Sequence, residues 1–247
     1  MRLSGSWASL GLLVVATAAL EALSRGGWVS TFVMPPPSET LAAIPGLFLH
    51  EGLGYATWVT FQTTLLATTL ALLIGVPAGA LLARHRRFGQ AYEPWLEAAF
   101  SAPIILLYPL FLIFFGRSLV TIVVMGFVVG VIPVIIKTRE GIVNLRPIFH
   151  NLALSLHMSD VQSLIKIILP AALPSIFVGL RLALIYAMIN IVAVEFLVGL
   201  GGLGYLVADM YDRYDIPSMY SAIVFVVVLS SAFFLVIERS EAWLRSA

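Results

Sequence analysis

The chain has no cysteine. That excludes disulfides, thiolate metal sites and a cysteine nucleophile. It is also poor in charge: Asp, Glu, Lys and Arg make up 11% of 247 residues, less than half the share of about 25% usual in soluble domains. The net charge of +1 offers no electrostatic footprint for a nucleic acid. A Walker A motif is missing, since neither lysine, Lys137 or Lys166, follows a glycine. ATP bound in the P-loop manner is therefore excluded from this chain. The serine-protease pattern GxSG is absent too, and His50, His85, His150 and His157 show no metal-ligand spacing with carboxylate support. No internal repeat or low-complexity tract is evident.

What is abundant is apolar surface. Hydrophobic residues make up 60% of the chain, with a mean hydropathy of +1.01. A soluble core cannot absorb that much, so the chain reads as an all-α polytopic membrane protein. A bilayer core takes about 20 apolar residues per helix. Six spans are predicted: Trp7 to Leu23, Trp58 to Ala83, Pro94 to Phe115, Leu119 to Ile136, Leu173 to Val198, and Ile216 to Ile237. The whole of 1–247 reads as one transmembrane domain. For the first span a signal peptide is the rival reading, because Arg2, an apolar run and "ATAA" resemble one, but the run is long and Glu21 and Arg25 follow it like an ordinary helix end.

The basic residues set the sidedness. Arg2, Arg84, Arg86, Arg87, Lys137, Arg139, Arg146, Lys166, Arg239 and Arg245 fall on one side, and only Arg25, Arg117 and Arg213 on the other. The positive-inside rule then predicts cytoplasmic N- and C-termini. Arg181 lies within the fifth span. On the outer side, "MPPPSETLAAI" predicts a stiff turn and a short helix, with Ser38 as its cap and Glu39 in its first turn.

The segment of about 147–170 is neither loop nor span. Pro147 suits a first helical turn. "PIFHNLALSL" keeps an apolar side, and the chain breaks at "HMSD". Ser159 with Gln162 three residues on completes a capping-box pattern. "DVQSLIKII" then carries Val161, Leu164, Ile165 and Ile168 on one side. Pro170 and Pro174 lead into the fifth span. This predicts a helix–turn–helix on the cytoplasmic surface. It serves either as an amphipathic connector in the membrane interface or as a docking lever for a cytoplasmic partner.

Here the sequence resembles a known family. The segment is similar to the EAA loop of permease subunits of type I ABC importers, Glu-Ala-Ala, three residues, Gly, nine residues, Ile-x-Leu-Pro. Ile167, Leu169 and Pro170 match its close. Asn151, Leu152 and Ala153 stand at the Glu-Ala-Ala positions, and His157 at the glycine. "FVMPPPSETLAAI", "APIILLYPLFLIFFGRS" and "VAVEFLVGLGGLGYLV" resemble the nitrate, sulfonate and taurine branch. The resemblance implies a permease of the bacterial inner membrane, paired as a homodimer and surrounded by lipid. Two cytoplasmic ATPase subunits would bind ATP and Mg, and an extracytoplasmic binding protein would deliver a small solute. This chain would hold no cofactor or metal of its own. The coupling surface would comprise Asn151, Leu152, Ala153, Leu156, His157, Ser159, Asp160, Val161, Leu164, Lys166, Ile167, Leu169 and Pro170.

Within the spans, Glu195 is an ionisable group inside a membrane helix. It reads either as a functional group or as a clasp for the backbone amides of the loop beyond. Arg181 is about 21 Å away along the helix, too far to pair with it. Tyr186 and Asn190 share a helix face and are pathway candidates, with interhelical bonding the alternative for Asn190. Pro103 and Pro109 in the third span free backbone carbonyls and are candidate gate positions, and Gln62, Thr63 and Thr64 are weaker ones. "GLGGLG" is a literal GxGxxG, but it follows a membrane helix. Gly199, Gly201 and Gly204 therefore read as a tightly packed outer loop near the pathway mouth and not as a dinucleotide site. A gradient-driven carrier would show repeats and broken helices at the midplane. A non-transporting scaffold would need no polar residues in the fifth span.

Overall fold

The computed structural model describes residues 3–246, with side chains from Gly11 to Leu235 and at Arg239. The described residues are mostly helical, with no strand among them. The helices are α1 (Leu3–Arg25), α2 (Pro37–Leu49), α3 (Leu53–Arg84), α4 (Arg86–Ser101), α5 (Tyr108–Phe115), α6 (Leu119–Val143), α7 (Pro147–Ser155), α8 (Asp160–Ser163), α9 (Leu169–Val198), α10 (Leu203–Asp212) and α11 (Ile216–Ser246). A 3-10 turn, Ile104–Leu107, precedes α5, and a π-helical segment, Leu164–Ile168, joins α8 to α9.

The centre is a three-helix core of α3, α6 and α9. These helices approach closely because glycine and alanine line their contacts. Gly126 of α6 receives the Ile191 side chain, Gly75 of α3 receives Val134, and Gly179 of α9 lies against the Pro133 carbonyl. In lipid, helices gain little by hiding apolar area from one another, so close van der Waals packing at small residues drives association. A Cβ on Gly79 would lie 2.7 Å from the Ile135 carbonyl and from Thr138 Cβ. Gly79→Val therefore forces two backbones apart. It is expected to cost on the order of 1–3 kcal/mol, read as a lower melting temperature in detergent by tryptophan fluorescence.

Among the described residues, four helical stretches are long and apolar enough to cross a bilayer, in α3, in α6, in the run through α9, and in α11, or five if the bent pair around Pro103 counts as one. The expected first span falls on α1, where side chains before Gly11 lie outside those described. The expected second, fourth and fifth spans each sit inside a longer helix. The third span is corrected. Instead of one helix from Pro94 to Phe115, α4 begins at Arg86, and the chain bends by 80° between α4 and the Ile104–Phe115 stretch. Pro103 causes the break. It holds Ala102 in an extended conformation, ψ 138°, as a residue before proline prefers. Pro109 falls in the first turn of α5, where a missing amide costs nothing. The lower part of α4 is clamped to α6 by the Arg139–Glu93 ion pair, 2.5 Å.

The helix after the outer prolines forms with Glu39 in its first turn, but Ser38 does not cap it. Pro36 takes the cap position. Ser38 instead donates from Oγ to Glu21 at 2.6 Å and accepts from Arg25 at 2.9 Å, tying α2 to the end of α1.

Candidate functional site: the helical elbow and the glycine-loop anchor

The elbow at the basic end is built from two local signals. Pro147 opens α7 in its first turn. At the other end, the His157 amide bonds the Leu154 carbonyl at 3.0 Å and the Met158 amide bonds Ala153 at 3.1 Å. This pair of crossed bonds is a Schellman motif. It demands a left-handed residue at its centre, and His157 has φ +51°. Histidine thus occupies a conformation that glycine adopts without cost.

Ser159 then caps the next helix. Its Oγ accepts from the Gln162 amide at 3.4 Å, while Gln162 Oε1 accepts from the Ser159 amide at 3.1 Å. The expected capping box is complete. Beyond it, Leu169 donates its amide to Leu164, five residues back, which is the π pattern. Pro170 accounts for the local widening. It has no amide hydrogen, and its ring would meet the carbonyl four residues earlier in an α-helix.

The elbow turns Ala153 inward and leaves Asn151, Leu152, Leu156, His157, Asp160, Val161 and Lys166 exposed. Leu156 is 55% exposed and Val161 60%. Leu164, Ile167 and Leu169 are half-buried. Arg84, at the end of α3, reaches the elbow through an ion pair with Asp160 at 2.7 Å. The elbow thus presents exposed leucine and valine side chains beyond the ends of the core helices.

At the opposite end, Glu195 is 0% exposed. It accepts from Thr60 Oγ1 at 2.8 and 3.0 Å and from the Gly204 amide at 3.1 Å. Thr60 Oγ1 in turn accepts from the Leu203 amide at 2.8 Å. The carboxyl thus joins α9, α3 and the start of α10. Gly199, Gly201 and Gly202 all have positive φ, so the loop turns where other residues would be strained. A Cβ on Gly204 would overlap the Val192 carbonyl, and one on Gly202 the Glu195 carboxyl. Arg117, in the α5–α6 turn, donates to the carbonyls of Val198 at 2.5 Å and Gly199 at 3.1 Å, closing the end of α9. Further out, desolvation pulls the Arg213 pKa down, but Asp209 and then Glu51 outweigh it and hold it above the usual value.

The structure brings Glu195, the glycine loop and Thr60 together. Tyr186 and Asn190 stand apart from them. Tyr186 is partly exposed and stacks edge-on with Phe100 of α4, centroids 4.8 Å apart. Asn190 is buried with its Oδ1 unpaired. Arg181 lies near the Phe234 ring, 6.0 Å from its centroid. Two participants escape sequence reasoning, Thr60 and Arg117. The threonines of α3 recur at three- and four-residue spacing, which hints at a bonded face, but nothing local names Glu195 as the partner.

The model of the binding-protein-dependent transport system inner membrane component matches residues 71–246. The chain belongs to this family. It is 29% identical over 198 residues to the bicarbonate transport system permease protein CmpB of Synechococcus elongatus, covering 80% of this chain and 70% of that one. It is 28% identical over 193 residues to the nitrate import permease protein NrtB of the same organism, covering 78% and 69%. A probable ABC transporter permease of Haemophilus influenzae is 30% identical over 211 residues, 84% of each chain. Among solved structures, the inward-facing MetNI methionine ABC transporter superposes with a TM-score of 0.68 at 21% identity, covering 80% of this chain and 97% of that one. The protein is thus a multi-pass permease subunit of an ABC importer. Transport is its work, and its family implies an ATPase and a binding protein as partners.

Proposed function

We propose that two copies of this permease form the translocation pathway for a small solute handed over by an extracytoplasmic binding protein. ATP and Mg are bound and consumed in two separate cytoplasmic ATPase subunits. The single observation that carries this reading is the elbow, a doubly capped helical projection with exposed apolar side chains, continuous with α9. A push on it travels into a membrane helix without passing through a loop. The elbow lies on the side rich in Arg and Lys, which supports cytoplasmic termini and cytoplasmic docking. Relatives named for bicarbonate and nitrate favour a small anion, of the nitrate, sulfonate or taurine kind, and a small organic molecule is the alternative. Pro103, Pro109, Tyr186 and Asn190 are proposed to border the pathway, with Glu195 and Gly199, Gly201 and Gly204 closing its outer end. The domain is proposed to run through 1–247, with 147–170 as its coupling segment.

Copurification tests the assembly. The tagged permease, extracted in mild detergent, is expected to bring down a P-loop ATPase identified by mass spectrometry. Recovery of the permease alone, under conditions where a known ABC importer stays intact, would contradict the proposal and favour a gradient-driven carrier or a scaffold.

A further inference from the structure

We infer that Arg84 is a positioning residue for coupling. Its bond to Asp160 sets the angle at which the elbow meets the core, and the π-helical segment Leu164–Ile168 is the joint about which that angle changes. This rests on the reading that the elbow receives the ATPase.

Three features point to it. First, the backbone is helical from Asp160 to Val198 without a break, yet the π segment carries the slack of one extra residue. Returning it to α register would turn everything before it by about 100°, one residue's share of an α-helical turn. Pro170 opposes that return and holds the joint open. Second, the elbow is not packed tightly against the core. A cavity of about 400 Å³ lies between the elbow and the ends of α3 and α6, lined by Ala80, Ala83, Ile142, Ala153, Leu164 and Ile168, with His150 also on its wall. The small residues on the core side leave it unfilled. Third, Arg84 and Asp160 both line this cavity and bridge it from α3 to the elbow. Both side chains are exposed, and exposed ion pairs are individually weak. Such a bond suits a contact that is broken and remade, more than one that holds a fold together. Its direction matters too, since Asp160 stands in the first turn of its helix, where a carboxylate favours the helix dipole and holds that end firm while Arg84 pulls on it.

The test uses the complete transporter, permease with its ATPase and binding protein, in liposomes, reading solute imported per ATP hydrolysed. Arg84→Glu is expected to lower that ratio at least threefold while ATPase pull-down is unchanged, and Asp160→Lys is expected to lower it as far. The exchanged pair, Arg84→Asp with Asp160→Arg, is expected to restore at least half of it. Single variants with an unchanged ratio, or an exchanged pair as poor as either single, would overturn the inference. Loss of the ATPase from Arg84→Glu would do the same, because Arg84 would then be a docking contact. If the unaltered permease never retains an ATPase, the docking reading falls and this inference with it. The joint is tested separately in the naturally cysteine-free chain, with spin labels at Phe88→Cys and Leu154→Cys. Adding Pro170→Ala is expected to shift the distance between them, and an unchanged distance would rule out the π segment as the joint.

Discussion

Leu156→Asp and Val161→Asp are each expected to weaken retention of the ATPase at least tenfold, about 1.4 kcal/mol, with membrane insertion and melting temperature unchanged. The reason lies in exposure. The two residues lie within the Schellman turn and the capping box, but their side chains, 55% and 60% exposed, make none of the hydrogen bonds of either. An exposed carboxylate there costs the free permease little, at most about 1 kcal/mol against the helix dipole at Leu156, but it would have to be desolvated against an apolar partner. Pull-down from detergent extract and a melting curve check the two halves. Unchanged pull-down would move the docking surface elsewhere. A lowered melting temperature would mean that these residues hold the elbow together.

Glu195→Ala is expected to act on the fold. The carboxyl takes the Thr60 hydroxyl and the Gly204 amide in a site closed to solvent. Removing it strands both donors and leaves a void. Each buried unpaired group costs about 1–3 kcal/mol, so a loss of about 3–5 kcal/mol is expected with the cavity included. Folded yield and uptake should fall together. Glu195→Gln keeps an acceptor oxygen and should fall less on both readouts. Uptake abolished with an unchanged melting temperature would instead mean that the carboxyl acts on the solute.

What was legible in the sequence was local. Ser159 and Gln162 lie three residues apart, so their capping box can be read from the chain. His157 stands at the family's glycine position, which already hints at a left-handed turn. The core helices announce themselves by apolar length. Distance in the chain hides the rest. Glu195 and Thr60 are 135 residues apart, and only packing of α9 on α3 shows that they meet. The same holds for Arg117, 81 residues before the Val198 carbonyl it caps. At Pro103 the reason is different: a proline type is compatible with a bend within one helix, whereas the extended Ala102 before it ends the helix outright. For Ser38, a cap residue was identified by type, but Pro36 already occupied the geometry, and Glu21 from another helix claimed the hydroxyl. The π segment followed from Pro170, but only once the helix before the proline proved continuous with the one after it.

The most direct measurement of the central claim is solute uptake into liposomes holding the permease with its ATPase, with the binding protein outside and ATP inside. Uptake that needs both ATP and the binding protein is the predicted result. Uptake that proceeds without ATP, driven by an imposed ion gradient, would contradict it.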